Sequence, residues 1–245
     1  MIADVVTVAW KEVKELLAMG GNLRGGRIGI VIMVGVFGVF LPLQTGREWV
    51  TSPMTIAYWA WVPLMLVTGV VADSFAGERE RHTLETLLAS RLPDRAILFG
   101  KVAAAIAYGW GFMILMFIVG LVTVNIAHGH GRLLLFSSSF TLGALLCGLL
   151  TSGLAASAGV LVSLRAATVR QAAQNLSIGI MLCIFVPAFG IPALPKSWKA
   201  SLMQAAMALS AAEWIAVVGI VLAAIDAVLL LAAITRFKRA RLILD

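Results

Sequence analysis

The side chains that could take part in catalysis are few and do not form a recognisable catalytic motif. The histidines of the sequence are His82, His128 and His130, and neither a His-Glu-x-x-His nor a Gly-x-Ser-x-Gly motif occurs. His128 and His130 lie close together, but a metal site needs more ligands than these two. The Gly-Lys pair Gly100-Lys101 precedes Val102 instead of Ser or Thr, so the chain lacks a phosphate-binding loop for ATP. These patterns argue against an enzyme and against a metal centre.

Asp226 is the one acidic residue that lies deep within a long apolar segment. A charge near the middle of a bilayer is costly, so this carboxyl group is expected to face protein, water or a partner. Two interpretations stay open: Asp226 serves an ion pathway, or it is a neutral or hydrogen-bonded residue that holds helices together. We expect the second.

The composition indicates a membrane protein. Of the 245 residues, 61% are hydrophobic and 13% are charged, whereas about a quarter of the residues in a soluble domain are charged. The net charge is +7, and most of the cations border apolar segments. That distribution is typical of basic loops that orient membrane proteins. The composition therefore excludes an ordinary soluble enzyme, a disordered chain and a nucleic-acid-binding domain.

Six apolar stretches are long enough to cross a bilayer. The hydrocarbon core is about 30 Å thick and takes roughly 20 residues of helix. The expected fold is therefore all-α, with six transmembrane helices in a single domain. The two halves share no repeated motif, which gives no support to a secondary transporter built from inverted repeats. The predicted spans cover residues 28–45, 55–73, 101–126, 133–163, 172–194 and 213–235.

Basic residues alternate from loop to loop. Fifteen of the 19 Lys and Arg residues fall in the N-terminal segment 1–27, the loops after the second and fourth spans, and the tail 236–245. The other loops hold four. The excess of cations on one side predicts that both termini lie in the cytoplasm of a multi-pass protein of the cytoplasmic membrane.

Residues 2–17 form an amphipathic pattern that is too short to span. Apolar residues that include Trp10 share one helical face, while Lys11, Glu12 and Glu15 lie largely opposite. Such a helix lies along the membrane surface or packs on protein. We expect the surface position, because a glycine-rich segment leads from this helix directly into the first span.

The segment between the second and third spans is too polar to cross the membrane. Glu78-Arg79-Glu80-Arg81 opens a helical pattern, Pro93 ends it, and Asp94 can cap the next helix. The charged run either contacts a soluble partner or is a solvated face with local ion pairs.

Small residues recur along the fourth span at spacings of three or four. Such a stripe lets helices approach closely, within one subunit or across a dimer. The stripe consists of Ala144, Gly148, Ser152, Ala155 and Gly159.

The cytoplasmic segment resembles the signature of ABC-2-type transporter permeases. It contains a Phe-x-x-Glu-Arg-Glu element from Phe75, then Thr-Leu-Glu-x-Leu-Leu-x-Ser, a Pro turn and Gly100-Lys101. Ala9-Trp10-Lys11-Glu12 is similar to the N-terminal interface helix of that family, and residues 165–172 resemble a loop of its sodium- and drug-efflux members. Residues 187–195 and the polar helix after them resemble its extracellular re-entrant hairpin. One position departs from the family pattern: Arg91 stands before the Pro turn, where many members have Pro or another small residue.

The resemblance implies a permease subunit of an ABC exporter, in which two permease copies work with two ATPase subunits. ATP and magnesium would bind to the ATPases, and this chain would need no cofactor of its own. Spans two and five would line the pathway of a substrate that the sequence does not identify. The alternative is a self-sufficient ion-coupled carrier or channel that uses Asp226.

The resemblance also implies residue roles. Residues 78–90 would form a coupling helix against the ATPase, and Trp10, Lys11 and Glu12 would belong to the interface helix. The coupling residues would be Glu78, Arg79, Glu80, Arg81, Thr83, Leu84, Glu85, Leu87 and Leu88.

Overall fold

The computed structural model describes residues 1–22, 24–52, 54–83, 89–208 and 210–237, and these residues form helices without any strand. Within this part of the chain, six helices are long and apolar enough to cross a membrane, which confirms the predicted all-α multi-pass fold. They are span 1 (Ile28–Thr45), span 2 (Thr55–Glu80), span 3 (Asp94–His128), span 4 (Ser138–Ser163), span 5 (Val169–Ala193) and span 6 (Ala212–Arg236).

Further helices lie outside the spans. The N-terminal helix covers Ile2–Asn22, a short helix covers Glu48–Thr51, and another covers Lys196–Ala208. The last one follows span 5, whose helix continues through two internal prolines to Ala193. The re-entrant form of this region stays a prediction.

Span 1 contains a π-helical segment, Val34–Phe40, which the sequence did not predict. A π-helix leaves backbone carbonyl groups with irregular spacing. The Thr123 hydroxyl of span 3 donates to the Gly38 carbonyl oxygen at 2.8 Å. Gly38 also lies so close to span 3 that a Cβ atom there would be 2.9 Å from Val119 Cγ1. The irregular segment is therefore where span 1 docks on span 3.

Span 3 begins at Asp94, about two turns before the predicted start at residue 101. Pro93 has an extended backbone and occupies the N-cap, and the Asp94 carboxylate lies in the first turn, where it complements the helix dipole. The helix therefore starts outside the apolar stretch and continues into it without a break.

Span 4 begins at Ser138, although the apolar sequence begins at residue 133. The side chain of Asn125 binds both backbone groups of Leu134: its amide nitrogen donates to the carbonyl at 2.8 Å, and its oxygen accepts from the N–H at 2.7 Å. Ser137 then caps the helix by accepting from the Phe140 N–H. These contacts hold residues 133–137 outside the helix.

Spans 2, 3 and 4 form the core, and the small-residue stripe of span 4 packs within the subunit. A Cβ atom at Gly159 would lie 1.9 Å from Val71 Cγ1 of span 2, and one at Gly148 would lie 2.9 Å from Met113 Cε of span 3. Span 6 packs on the other side of span 4, while spans 5 and 6 leave most of their surface exposed.

The helix predicted over residues 78–90 is interrupted at residues 81–83, and a helix beyond this turn stays a prediction. The helix that contains the charged run is the end of span 2, and it stops at Glu80. The Thr83 N–H donates to the Glu78 carbonyl at 2.9 Å, and His82 adopts a positive φ of 55°, so the chain turns sharply here. The first part of the run is helical because it extends span 2. Leu84, Glu85, Leu87 and Leu88 lie outside the described residues.

Candidate functional site

Four segments meet at one end of the bundle. They are the N-terminal helix, the end of span 2, the start of span 3, and the loop between spans 4 and 5. Three charged residues occupy the centre of this region, and we call Glu12, Glu78 and Lys101 the charged junction.

The buried cation of the charged junction is Lys101, whose side chain is 2% exposed. Its Nζ atom lies 2.8 Å from Glu12 Oε1 and 3.5 Å from Glu78 Oε1. The same ammonium group lies 5.5 Å from the ring centroid of Phe75. Burial of a charge is costly unless partners compensate it, and two carboxylates and an aromatic face do so here. Lys101 therefore connects span 3 to two separate parts of the chain.

The N-terminal helix docks on span 3 beside this lysine. A Cβ atom at Gly100 would lie 2.5 Å from Val8 Cγ1, so only glycine lets the two helices approach this closely. Val8 is buried, and Glu12 lies one turn further along the same face, where it reaches Lys101. One of the two interpretations of this helix, packing on protein, is thus observed for its inner face.

The outer face of the N-terminal helix carries exposed apolar residues. Ile2, Val6 and Trp10 are 80%, 61% and 62% exposed. Lys11 pairs with Glu15 at 3.3 Å. Burial lowers the pKa of Lys11, but the carboxylates of Glu15 and Glu12 more than offset this, so the pKa lies above its usual range. Contact of this face with the membrane surface stays a prediction.

The Ser163 hydroxyl group in span 4 stabilises an interruption of the α-helix in span 2. The α-helix of span 2 is broken at Ala72, which frees backbone groups that a regular helix would pair. Ser163 Oγ accepts hydrogen bonds from the N–H groups of Phe75 and Ala76, at 3.0 and 2.9 Å, and donates to the Ala72 carbonyl at 3.0 Å. Ser163 is fully buried, so this one side chain satisfies three backbone groups that water does not reach.

Arg79 binds the loop between spans 4 and 5. Its guanidinium group donates to the carbonyl oxygen of Ala166 and to that of Leu164, the latter at 3.1 Å. Arg79 therefore holds the end of span 2 against the loop that leads into span 5.

An ion pair runs along the outside of the same helix. Arg81 binds the Asp73 carboxylate with both terminal nitrogens, at 3.3 and 3.2 Å. Gly77 lies between them, and a Cβ atom there would be 1.9 Å from Asp73 Oδ1. The glycine makes room for this pair. Both side chains are partly exposed, so the pair adds less to stability than the charged junction.

Glu80 differs from the other members of the run. It is exposed, and its carboxylate has no ion pair or hydrogen bond to any residue that the structure describes. Thr83, in contrast, donates to the Glu78 carboxylate. Of the predicted coupling residues, Glu78, Arg79 and Arg81 thus contact their own chain, while Glu80 faces outward.

The sequence did not predict the roles of Lys101 and Ser163. The signal for Lys101 was available: a lysine two turns inside a long apolar helix needs a carboxylate, and acidic residues occur in the N-terminal segment and in the segment that precedes this helix. Ser163 gave no such signal, because serine is common in the close-packed faces of membrane helices.

A groove of about 400 Å³ separates spans 2 and 5. Its walls are mainly apolar, and the hydroxyls of Thr68 and Ser177 donate to carbonyl groups of their own helices. The lining residues are Trp61, Met65, Thr68, Gly69, Ala173, Ser177, Ile180 and Met181.

Asp226 faces span 4 inside the bundle. A Cβ atom at Gly153 would lie 2.8 Å from Asp226 Oδ2. The other carboxylate oxygen, Oδ1, is buried and has no hydrogen-bond partner among the described residues. Both interpretations of this residue remain predictions.

Comparisons with known proteins fit this arrangement. The family described as ABC-2 type transporter matches residues 3–217, which include the N-terminal helix, the charged junction and spans 1 to 5. No curated protein matches the sequence. Members of this family are transport components without an ATPase domain of their own, and they generally work with an ABC ATPase. The chain therefore belongs to the ABC-2 type transporter family and is a membrane-spanning permease component of an ABC transporter.

Proposed function

We propose that this permease exports its substrate and is driven by separate ABC ATPase subunits that dock beside Glu80. The observation that carries the proposal is the contrast within the charged run. Glu78, Arg79 and Arg81 are bound by their own chain, whereas the adjacent Glu80 is exposed and has no partner among the residues that the structure describes. A carboxylate held at the end of a helix suits a charge-assisted contact with another protein.

The surrounding contacts explain how a movement of the docked ATPase would be transmitted to the membrane-spanning helices. Lys101 connects the end of span 2 to span 3 and to the N-terminal helix, and Ser163 connects it to span 4. Arg79 adds the loop before span 5. A movement of the docked segment would therefore shift packed helices as units, which is the usual form of such transitions.

The transported substrate would pass along the groove between spans 2 and 5. Two permease copies would face each other across this groove, and ATP binding in the partner subunits would change which side it opens to. The lining of the groove has no charged residue, which suits a solute with substantial apolar surface.

Both termini would lie in the cytoplasm. The charged junction, where the ATPase would dock, is at the same end of the bundle as the basic loops, and the excess of cations favours the cytoplasmic side.

Glu80→Ala tests the proposal in the purified complex of permease and ATPase. We expect ATP hydrolysis stimulated by the permease to fall about tenfold, equivalent to about 1.4 kcal/mol of docking free energy. The permease itself should retain its amount in the membrane and its unfolding midpoint, because Glu80 makes no intrachain contact among the described residues.

The matched control is Glu48→Ala. Glu48 is also an exposed glutamate, but it lies in the short helix Glu48–Thr51 at the opposite end of the bundle. It should leave ATP hydrolysis unchanged. Normal hydrolysis in Glu80→Ala, or an equal loss in both variants, would refute the docking position.

A further inference from the structure

A second cavity lies at the same end of the bundle as the charged junction. Its volume is about 380 Å³, and it is bounded by the end of span 4, the start of span 5 and the end of span 6. It is distinct from the groove between spans 2 and 5, with which it shares no lining residue. The lining residues are Leu161, Val162, Arg165, Asn175, Ala232 and Arg236.

Two positive charges in this cavity are not compensated by the part of the chain that the structure describes. Arg165 and Arg236 are exposed, and neither guanidinium group has a hydrogen bond or ion pair there. The neighbouring cations Arg79, Arg81 and Lys101 all have such partners. Among the described residues, the cavity is therefore lined by two arginines and by no acidic residue.

The other residues that line the cavity are mainly apolar and could contact a hydrocarbon chain. Leu161 and Val162 from span 4 and Ala232 from span 6 are half-buried and apolar. The cavity thus combines an apolar cleft between spans with two exposed arginines in its lining. Arginine binds phosphate with paired, directional hydrogen bonds, and basic pockets between spans on the cytoplasmic side suit anionic lipid head groups.

We propose that this cavity binds an anionic phospholipid of the cytoplasmic leaflet. The phosphate contacts Arg165 and Arg236, Asn175 adds a polar contact, and an acyl chain lies along the apolar walls. Arg165 stands between Leu164 and Ala166, whose carbonyl groups bind Arg79. The bound lipid would therefore stabilise the loop that holds the end of span 2.

The test is a titration of the detergent-purified full chain with short-chain phosphatidylglycerol. Each arginine near an anionic surface strengthens binding by roughly fivefold, so Arg165→Gln with Arg236→Gln should weaken it by about twenty-five-fold. Arg95→Gln with Arg170→Gln removes the same charge from exposed arginines that do not line this cavity, and it should bind normally. The unfolding midpoint of each variant shows whether it folds.

Four results would overturn the proposal. Equal binding of short-chain phosphatidylcholine would show a cleft without charge recognition, and equal competition by inorganic phosphate would show a free-anion site. Unchanged affinity in the double variant would place the lipid elsewhere. A change from dimer to monomer without loss of lipid binding would make this surface a contact between copies. The choice of lipid rests on the proposed cytoplasmic orientation, but the titration needs neither ATPase nor transport, so its failure would leave the docking proposal intact.

Discussion

The ammonium group of Lys101 is shared by two carboxylates that are far apart in the sequence. The resemblance of the sequence to ABC-2 permeases implied that Glu12 belongs to the interface helix and Glu78 to the coupling helix. It did not pair them with Lys101, because that pairing depends on how the N-terminal helix docks beside Gly100. Candidate residues could thus be identified from the sequence, whereas contacts between distant segments required the tertiary structure.

Lys101→Met removes the charge and keeps a long side chain. It leaves two carboxylates without their cation in a site that water hardly reaches, so we expect a loss of about 3–5 kcal/mol in unfolding free energy. The measurement is denaturant unfolding of the full chain in mild detergent. Lys11→Met is the matched control, because it breaks an exposed pair and should cost less than about 1 kcal/mol. Equal losses would contradict the role of the charged junction.

Ser163→Ala removes the hydroxyl that serves three backbone groups. A buried polar group left without a partner costs roughly 1–3 kcal/mol, so the total loss in unfolding free energy should be at least about 2 kcal/mol. The control is Ser201→Ala, since the Ser201 hydroxyl is exposed and binds only its own helix among the described residues. An unfolding midpoint as high in Ser163→Ala as in the control would show that the interruption at Ala72 is stable without this contact.

At the level of helices, the lengths of the apolar stretches predicted the six spans, because each crossing of the hydrocarbon core requires a helix of about 20 apolar residues. The ends of the helices were harder to predict. Residues 133–137 are apolar but non-helical, since Asn125 binds both backbone groups of Leu134. The polar run after residue 73 is helical, since it extends span 2 and Ser163 holds it. In both places a side chain from another segment decides the boundary.

Gly159→Ala tests the close packing of spans 2 and 4. The new Cβ atom would lie 1.9 Å from Val71 Cγ1, so the spans must separate, at a cost of about 1–3 kcal/mol in unfolding free energy. Gly111→Ala in span 3 meets nothing within 4 Å, and it should be neutral or slightly stabilising because alanine favours helix. A Gly159→Ala protein as stable as the Gly111→Ala protein would contradict the close packing of these spans.

At the level of the whole molecule, the distribution of charge predicts the orientation in the membrane. In the sequence, fifteen of the 19 cations fall in the N-terminal segment, the loops after the second and fourth spans, and the C-terminal tail. Reporter fusions at both termini should therefore give a cytoplasmic signal, and a fusion in the loop after span 3 should give an external one. Opposite signals from the two termini would refute the six-span topology.

If the end of span 2 docks on a separate ATPase, as we propose, a photoreactive group at position 80 lies within reach of that protein. A photoreactive amino acid replaces Glu80 in the membrane-embedded complex, and the products are identified by mass spectrometry. We expect a covalent product with a polypeptide that carries a phosphate-binding loop, formed from position 80 and not from position 48. Crosslinks from position 80 to lipid alone, or equal products from both positions, would contradict it.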